Sequence, residues 1–256
     1  MSSLQQKASL PAAPLGVGAA LRAFLQGIGF IIGTPSVWGY AAVPAAMMLV
    51  LTLLFGGLGI WAANRGSAAI LGEVSSTWGH VADWVLTVLL AIIALLVAVV
   101  LALTLAQPMS CFALEKIVHA QERALTGQVT EGPSLLVSMF LTFKISLLAL
   151  FFGIPILALL FAVNLVFPPA TVVTVPLKLL VLGWLLAWDF LDYPLGLRRY
   201  GLRARCRWVA SNFGAFTVYG FLWAIFIVVP GIVLLLLPMG VAGATRLVVE
   251  DERQAG

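Results

Sequence analysis

Apolar residues in this chain come in long runs separated by short charged interruptions, and the run lengths set the expected elements. Residues 84–106 form the cleanest run, aliphatic apart from Thr87 and Thr104. They predict a helix that crosses a bilayer core of about 30 Å, which takes ~20 apolar residues. Residues 36–63 hold no charged side chain and predict a second span with room for tilt. Residues 64–83 between them are polar, with Arg65, Glu73, His80 and Asp83, and predict a loop. Trp78 and Trp84 suit an interfacial aromatic belt there. Residues 172–188 predict a further span that contains Lys178 and closes on Asp189 and Asp192.

Other runs are broken. Residues 18–33 are apolar around a single charge, Arg22, and too short for an easy crossing, so a re-entrant or interfacial half-helix is expected. Gly29 and Gly33 form a small-x-x-x-small pair that would allow close helix approach, and Pro35 disfavours helical geometry at Thr34. Residues 134–164 are apolar but interrupted by Lys144, Gly153 and Pro155, and Pro168-Pro169 marks a turn. Residues 213–246 are split by Pro230-Gly231 and Pro238, which predicts a re-entrant hairpin or a kinked pair. Backbone at such a break must be buried in protein or line water.

Two segments are amphipathic. Leu114, Ile117, Val118 and Leu125 recur at helical spacing among charges and predict a helix ended by Gly127. In 195–212, helical spacing would place Arg199, Arg203 and Arg207 on one face, roughly opposite Leu197, Ala204 and Trp208. Residues 1–17 read as a flexible lead-in, 18–248 as a single transmembrane domain, and 249–256 as an exposed charged tail. Residues 1–18 show no basic stretch followed by a continuous apolar run, so insertion is expected to rely on the helices themselves.

Composition changes the picture in one respect: it names the solvent. The chain is 62% hydrophobic and 9% charged, against about 45–50% and about 25% in soluble domains. Lipid must cover what a small core cannot. The net charge of +4 comes from 14 Lys and Arg against 10 Asp and Glu, and five arginines fall between Arg198 and Arg207. Basic loops of this kind orient a membrane protein and put both termini in the cytoplasm. No basic groove interleaved with aromatic residues supports nucleic-acid binding. Cys111 and Cys206 lack metal-ligand spacing, His80 and His119 are isolated, and no catalytic motif is present. The expectation is therefore no enzyme, no metal and no cofactor.

The second half carries a specific string. Trp188-Asp189-Phe190-Leu191-Asp192-Tyr193-Pro194 leads into the arginine run, and Leu237-Pro238-Met239-Gly240-Val241-Ala242-Gly243-Ala244-Thr245 closes the last apolar stretch. In these strings the chain resembles the etoposide-induced protein/CysZ family, whose bacterial branch contains sulfate permeases. Leu114-Glu115-Lys116-Ile117-Val118 after Pro108, and residues 27–35 followed by Pro44, resemble its upstream elements. The resemblance covers roughly residues 20–250. It implies an all-α integral membrane protein with two long transmembrane helices plus half-penetrating or kinked helical hairpins. Asp189, Asp192, Tyr193, Pro194, Pro238, Gly243, Ala244 and Thr245 are then its structural motif. One departure stands out: the sulfate permeases carry a glycine–leucine–arginine motif after the opening proline, where this chain has Ser36-Val37-Trp38-Gly39-Tyr40 and no cation.

Lys144 and Lys178 lie in apolar runs, where a charge costs on the order of 2.5–3.5 kcal/mol. Either they line an aqueous anion path with Ser36, or they snorkel to headgroups. Arg199, Arg203 and Arg207 form either a cytoplasmic anion vestibule or a contact with anionic lipid. Asp189 and Asp192 either couple protons or pair with the neighbouring arginines. The expected function is a permease or channel for a small inorganic anion, sulfate being what the resemblance implies. The alternative is a non-transporting membrane scaffold of the same family. A homo-oligomer is expected, since half-penetrating backbone needs protein cover, and the preference for Arg over Lys with compact loops points to a bacterial inner membrane.

Overall fold

The computed structural model describes residues 14–72, 76–227 and 232–255, and all regular structure among them is helical. The lead-in up to Ala13, Glu73 and the Pro230-Gly231 break lie outside the described residues. Among the described residues, nine α-helices follow one another: α1 Val17–Gly33, α2 Trp38–Leu71, α3 Thr77–Met109, α4 Cys111–Thr126, α5 Leu135–Val166, α6 Thr171–Leu197, α7 Leu202–Ser211, α8 Phe213–Phe226 and α9 Ile232–Ala255. Three stretches among the described residues are long and apolar enough to cross a membrane: Pro35–Leu71, Thr77–Ala106 and Pro168–Leu197. A fourth is possible if α7 and α8, which meet at 91°, count as one broken span.

Several boundaries differ from the sequence expectation. Helix α2 continues eight residues into the expected loop and α3 begins seven residues before the expected span. Apolar side chains here are sparse, yet Ala68, Ala69 and Ala82 favour helix and the polar groups find helical partners. Asn64 donates to the Ile60 carbonyl at 3.0 Å, and Thr87 donates to Ser67 at 2.7 Å. Residues 134–164 form one helix despite Gly153 and Pro155, and Pro44, Pro176, Pro194 and Pro238 are also intrahelical. Apolar helices tolerate such prolines because neighbouring groups re-satisfy the freed carbonyls.

The chain divides into two compact units, one from Val43 to Ser110 and the other comprising the chain up to Ala42 and from Cys111 onward. The first is the α2–α3 hairpin. Its helices meet through small residues: a methyl added at Gly59 would lie 2.9 Å from Ala94 Cβ, and Ala102 and Ala106 pack on Leu51. Leu53, Leu58, Trp61, Ile93, Leu96 and Val100 are exposed, the pattern of a lipid-facing surface.

The second unit holds the larger core. Helix α6 packs on α8 and α9, and α1 packs on α9 and α8. Gly183 and Gly220 bring the α6 and α8 backbones into contact. At the centre, Trp223 stacks edge-on against Phe24 at 4.7 Å and Phe190 at 5.8 Å between ring centroids. The small-residue contact of α1 is made by Gly27, where a Cβ would meet the Met239 carbonyl at 2.6 Å. Gly29 and Gly33 face open space, so that expected pair is not the packing face. Thr34 leaves helical geometry before Pro35, and the Trp38 indole donates to the Ile31 carbonyl at 2.8 Å, closing the α1 end. Helix α4 forms as its periodicity predicts, burying Leu114, Ile117 and Val118, and ends at Gly127 with φ +73°.

Candidate functional site

The family-motif residues converge on the core of the second unit. Tyr193, Ala244 and Thr245 are buried, and Thr245 donates back to the Val241 carbonyl at 2.8 Å. Gly240 lies under the Phe190 ring, and a Cβ at Gly243 would meet the Ala23 carbonyl at 2.6 Å. The Tyr219 hydroxyl donates to the Gly240 carbonyl at 2.5 Å. Pro194 and Pro238 are buried within α6 and α9. This constellation is a helix crossing built on small residues, which explains why the motif is rich in glycine and alanine.

Helix α6 runs nine residues past Trp188, so Asp189 and Asp192 sit inside it rather than at its end. Asp189 is half-buried, and Asp192 is buried in an ion pair with the buried Arg205 of α7. The Arg205 Nε also donates to the Tyr200 carbonyl at 2.8 Å. A second buried pair joins Arg198 to Glu122 of α4 at 2.8 Å, and Arg198 also binds Glu252 of α9 at 2.5 Å. Glu122 accepts from the Thr130 backbone N–H at 2.9 Å. Burial opposes the Arg198 charge, but Glu252 and Glu122 outweigh it and raise its pKa above the ordinary guanidinium value.

Residues 249–255, expected as an exposed tail, continue α9 and carry this network. Val249 is buried, Glu250 pairs with Arg22 at 2.6 Å, and Asp251 accepts from the Trp208 indole at 2.7 Å and from Asn212 at 3.2 Å. The Asn212 side-chain oxygen accepts from the Leu15 N–H at 2.9 Å. One signal was available in the sequence: Glu250, Asp251 and Glu252 fall one to three residues after a buried apolar pattern that continues through Val249.

The arginine run divides in two. Arg198 and Arg205 are partnered by carboxylates, whereas Arg199, Arg203 and Arg207 are exposed. Arg199 does not share a helix face with the other two. Tyr200 N–H bonds the Leu195 carbonyl at 3.0 Å and Arg199 N–H bonds the Gly196 carbonyl at 2.8 Å, a Schellman closure of α6. Arg199 occupies its left-handed position, φ 57°, where glycine is usual. Helix α7 starts only at Leu202, leaving Arg203 and Arg207 together on one exposed face.

Ser36 lies exposed in the 3₁₀ turn Pro35–Val37 that precedes α2. Lys178 is half-buried on α6, its ammonium 5.3 Å from the centroid of the Phe161 ring on α5. Among the described residues, it is the one charged side chain lining a groove of about 560 Å³ whose walls are Ile154, Leu157, Ala158, Phe161, Ala162 and Leu165. Lys144 is exposed on α5, up to about 26 Å along the helix from Phe161 at ~1.5 Å per residue. Lys144 and Lys178 therefore lie far apart along the helices, and among the described residues no hydrogen bond or ion pair links either to Ser36. Among the described residues, no cluster of three or more His, Cys, Asp or Glu could hold a metal ion.

A model of the family described as sulfate transporter CysZ/etoposide-induced protein 2.4 matches residues 23–238, most of the chain. No individually curated protein matches it.

Proposed function

Because the chain belongs to the sulfate transporter CysZ/etoposide-induced protein 2.4 family, we propose that it is a permease or channel for a small inorganic anion, with sulfate the first candidate. Lys178 is the observation that carries this reading. An ammonium in an apolar helix disfavours insertion, so its retention beside a groove argues for use. A positive charge on a low-dielectric wall raises the local concentration of anions. Strong capture of a dianion would need several donors or a guanidinium fork, and residues 36–40 offer no cation. A single lysine suits weak binding and transit, which conduction requires.

The remaining walls of the path are proposed to come from further copies of the chain, in a homo-oligomer within a bacterial inner membrane. Both termini are proposed to be cytoplasmic, on the side of the arginine run. The test is sulfate uptake by proteoliposomes carrying Lys178→Met. Uptake should fall at least about tenfold while protein yield and melting temperature hold, with Lys144→Met affected less. Uptake equal to the unmodified protein would remove Lys178 from the path.

A second reading, a non-transporting membrane scaffold, draws support from the neutralised charges of the second unit. Arg22, Arg198 and Arg205 each face a carboxylate, so these cations are occupied. Absence of any anion flux from folded protein would favour it.

A further inference from the structure

We propose that the groove between α5, α6, α7 and α8 holds one acyl chain of an anionic phospholipid, with its phosphate on Arg203 and Arg207. The groove has a volume of about 490 Å³ and is lined by apolar side chains, among them Trp184, Leu185, Trp188 and Phe216, with Cys206 on the α7 side. An apolar cavity of about 150 Å³ takes one six-carbon benzene, so about three times that volume suits an aliphatic chain of some 16–18 carbons.

The charge on its rim decides which lipid. Helix α7 presents Leu202, Cys206 and Val209 to the groove and buries Arg205 and Trp208 on a second face. Arg203 and Arg207, four residues apart, share the third face beside the groove-lining one. Both are exposed, and neither is in an ion pair among the described residues, unlike Arg198 and Arg205. Helix α7 meets apolar α8 at 91° and follows the end of the Pro168–Leu197 span. A short amphipathic helix turned across a membrane helix lies in the headgroup plane. With α7 in that plane, its two guanidiniums would reach phosphate depth and the groove beside them the acyl region. Guanidinium forks match phosphate oxygens, and a zwitterionic headgroup would cancel most of that attraction.

The experiment uses the full chain in a neutral detergent, exposed to equal amounts of phosphatidylglycerol and phosphatidylcholine and read by native mass spectrometry. One phosphatidylglycerol per chain should be retained preferentially. Arg203→Gln/Arg207→Gln should reduce its retention at least about tenfold. Cys206→Phe, which puts a ring into the groove beside the rim and leaves both charges, should also reduce it. Arg123→Gln, at an exposed arginine on another helix, should leave it unchanged. Equal retention of the two lipids would overturn the proposal, as would loss of phosphatidylglycerol in Arg123→Gln to the same extent. If the unmodified protein forms a dimer that retains no lipid and Cys206→Phe breaks it, a second copy covers the groove and the proposal is wrong.

Discussion

Replacing Gly183 by alanine puts a methyl group in place of a hydrogen at the point where α6 and α8 touch. The new Cβ would lie 2.7 Å from the Gly220 carbonyl carbon, 2.8 Å from the Phe221 nitrogen and 2.9 Å from the Gly220 oxygen. Ordinary contact between carbon atoms begins near 3.5 Å, so the helices must separate by roughly 0.8 Å. All three atoms are backbone, and no side chain can rotate away. Overpacking of a tight core costs about 1–3 kcal/mol, and this geometry belongs at the upper end. Alanine recovers up to about 1 kcal/mol of helix propensity, leaving a net loss near 2 kcal/mol. For a chain of this size that is a fall in melting temperature of about 4–8 °C. The control is Gly29→Ala, whose Cβ would meet nothing within 4 Å; it should be neutral or slightly stabilising. Thermal unfolding of both variants in the same detergent, followed by circular dichroism, reads the difference. A Gly183→Ala protein as stable as Gly29→Ala would refute the backbone contact as the basis of the α6–α8 interface.

Three further outcomes follow from the charged end of the second unit. Asp192→Asn leaves the buried Arg205 without its ion-pair partner and should destabilise by about 3–5 kcal/mol, while the apolar double variant Asp192→Leu/Arg205→Met should recover most of that loss in chemical denaturation. Arg199→Gly relieves a non-glycine residue at φ 57° and should raise stability by about 1 kcal/mol in the same assay. Burial, aided by the charge of Glu252 and opposed by hydrogen bonds from Asn212 and Trp208, holds the Asp251 carboxyl above its usual range. The folded protein thus binds this proton more tightly than the unfolded one. The associated stability is present below about pH 3.9 and is lost as pH rises through the raised value. Melting temperature measured against pH should show that decline, and Asp251→Asn should flatten it.

The membrane character and the helices were legible because long apolar runs and capping residues are local signals. The α4 periodicity ending at Gly127 and the Thr34–Pro35 break appear where the pattern puts them, and the run 84–106 falls within α3, which starts seven residues earlier. Helix extensions into polar segments were less visible, since Asn64 and Ser67 are satisfied by hydrogen bonds within the hairpin that composition does not reveal. Small-residue spacing pointed to Gly29 and Gly33, whereas the contact falls on Gly27, two residues earlier. Spacing alone cannot tell which face of a helix that is apolar nearly all round meets its neighbour. Five arginines in ten residues read as one basic patch; only tertiary placement separates Arg198 and Arg205, which pair with acids from α4, α6 and α9, from the exposed three. Arg199 left the expected face because the α6 terminus closes in a Schellman turn, a choice made by backbone hydrogen bonds rather than by charge.

Sulfate uptake into proteoliposomes, with chloride and phosphate as competitors and protein-free liposomes as the baseline, tests the transport reading most directly. Uptake should rise above baseline, saturate with sulfate and be reduced by competing anions. Baseline uptake of every anion, from protein whose melting transition shows it folded, would contradict that reading.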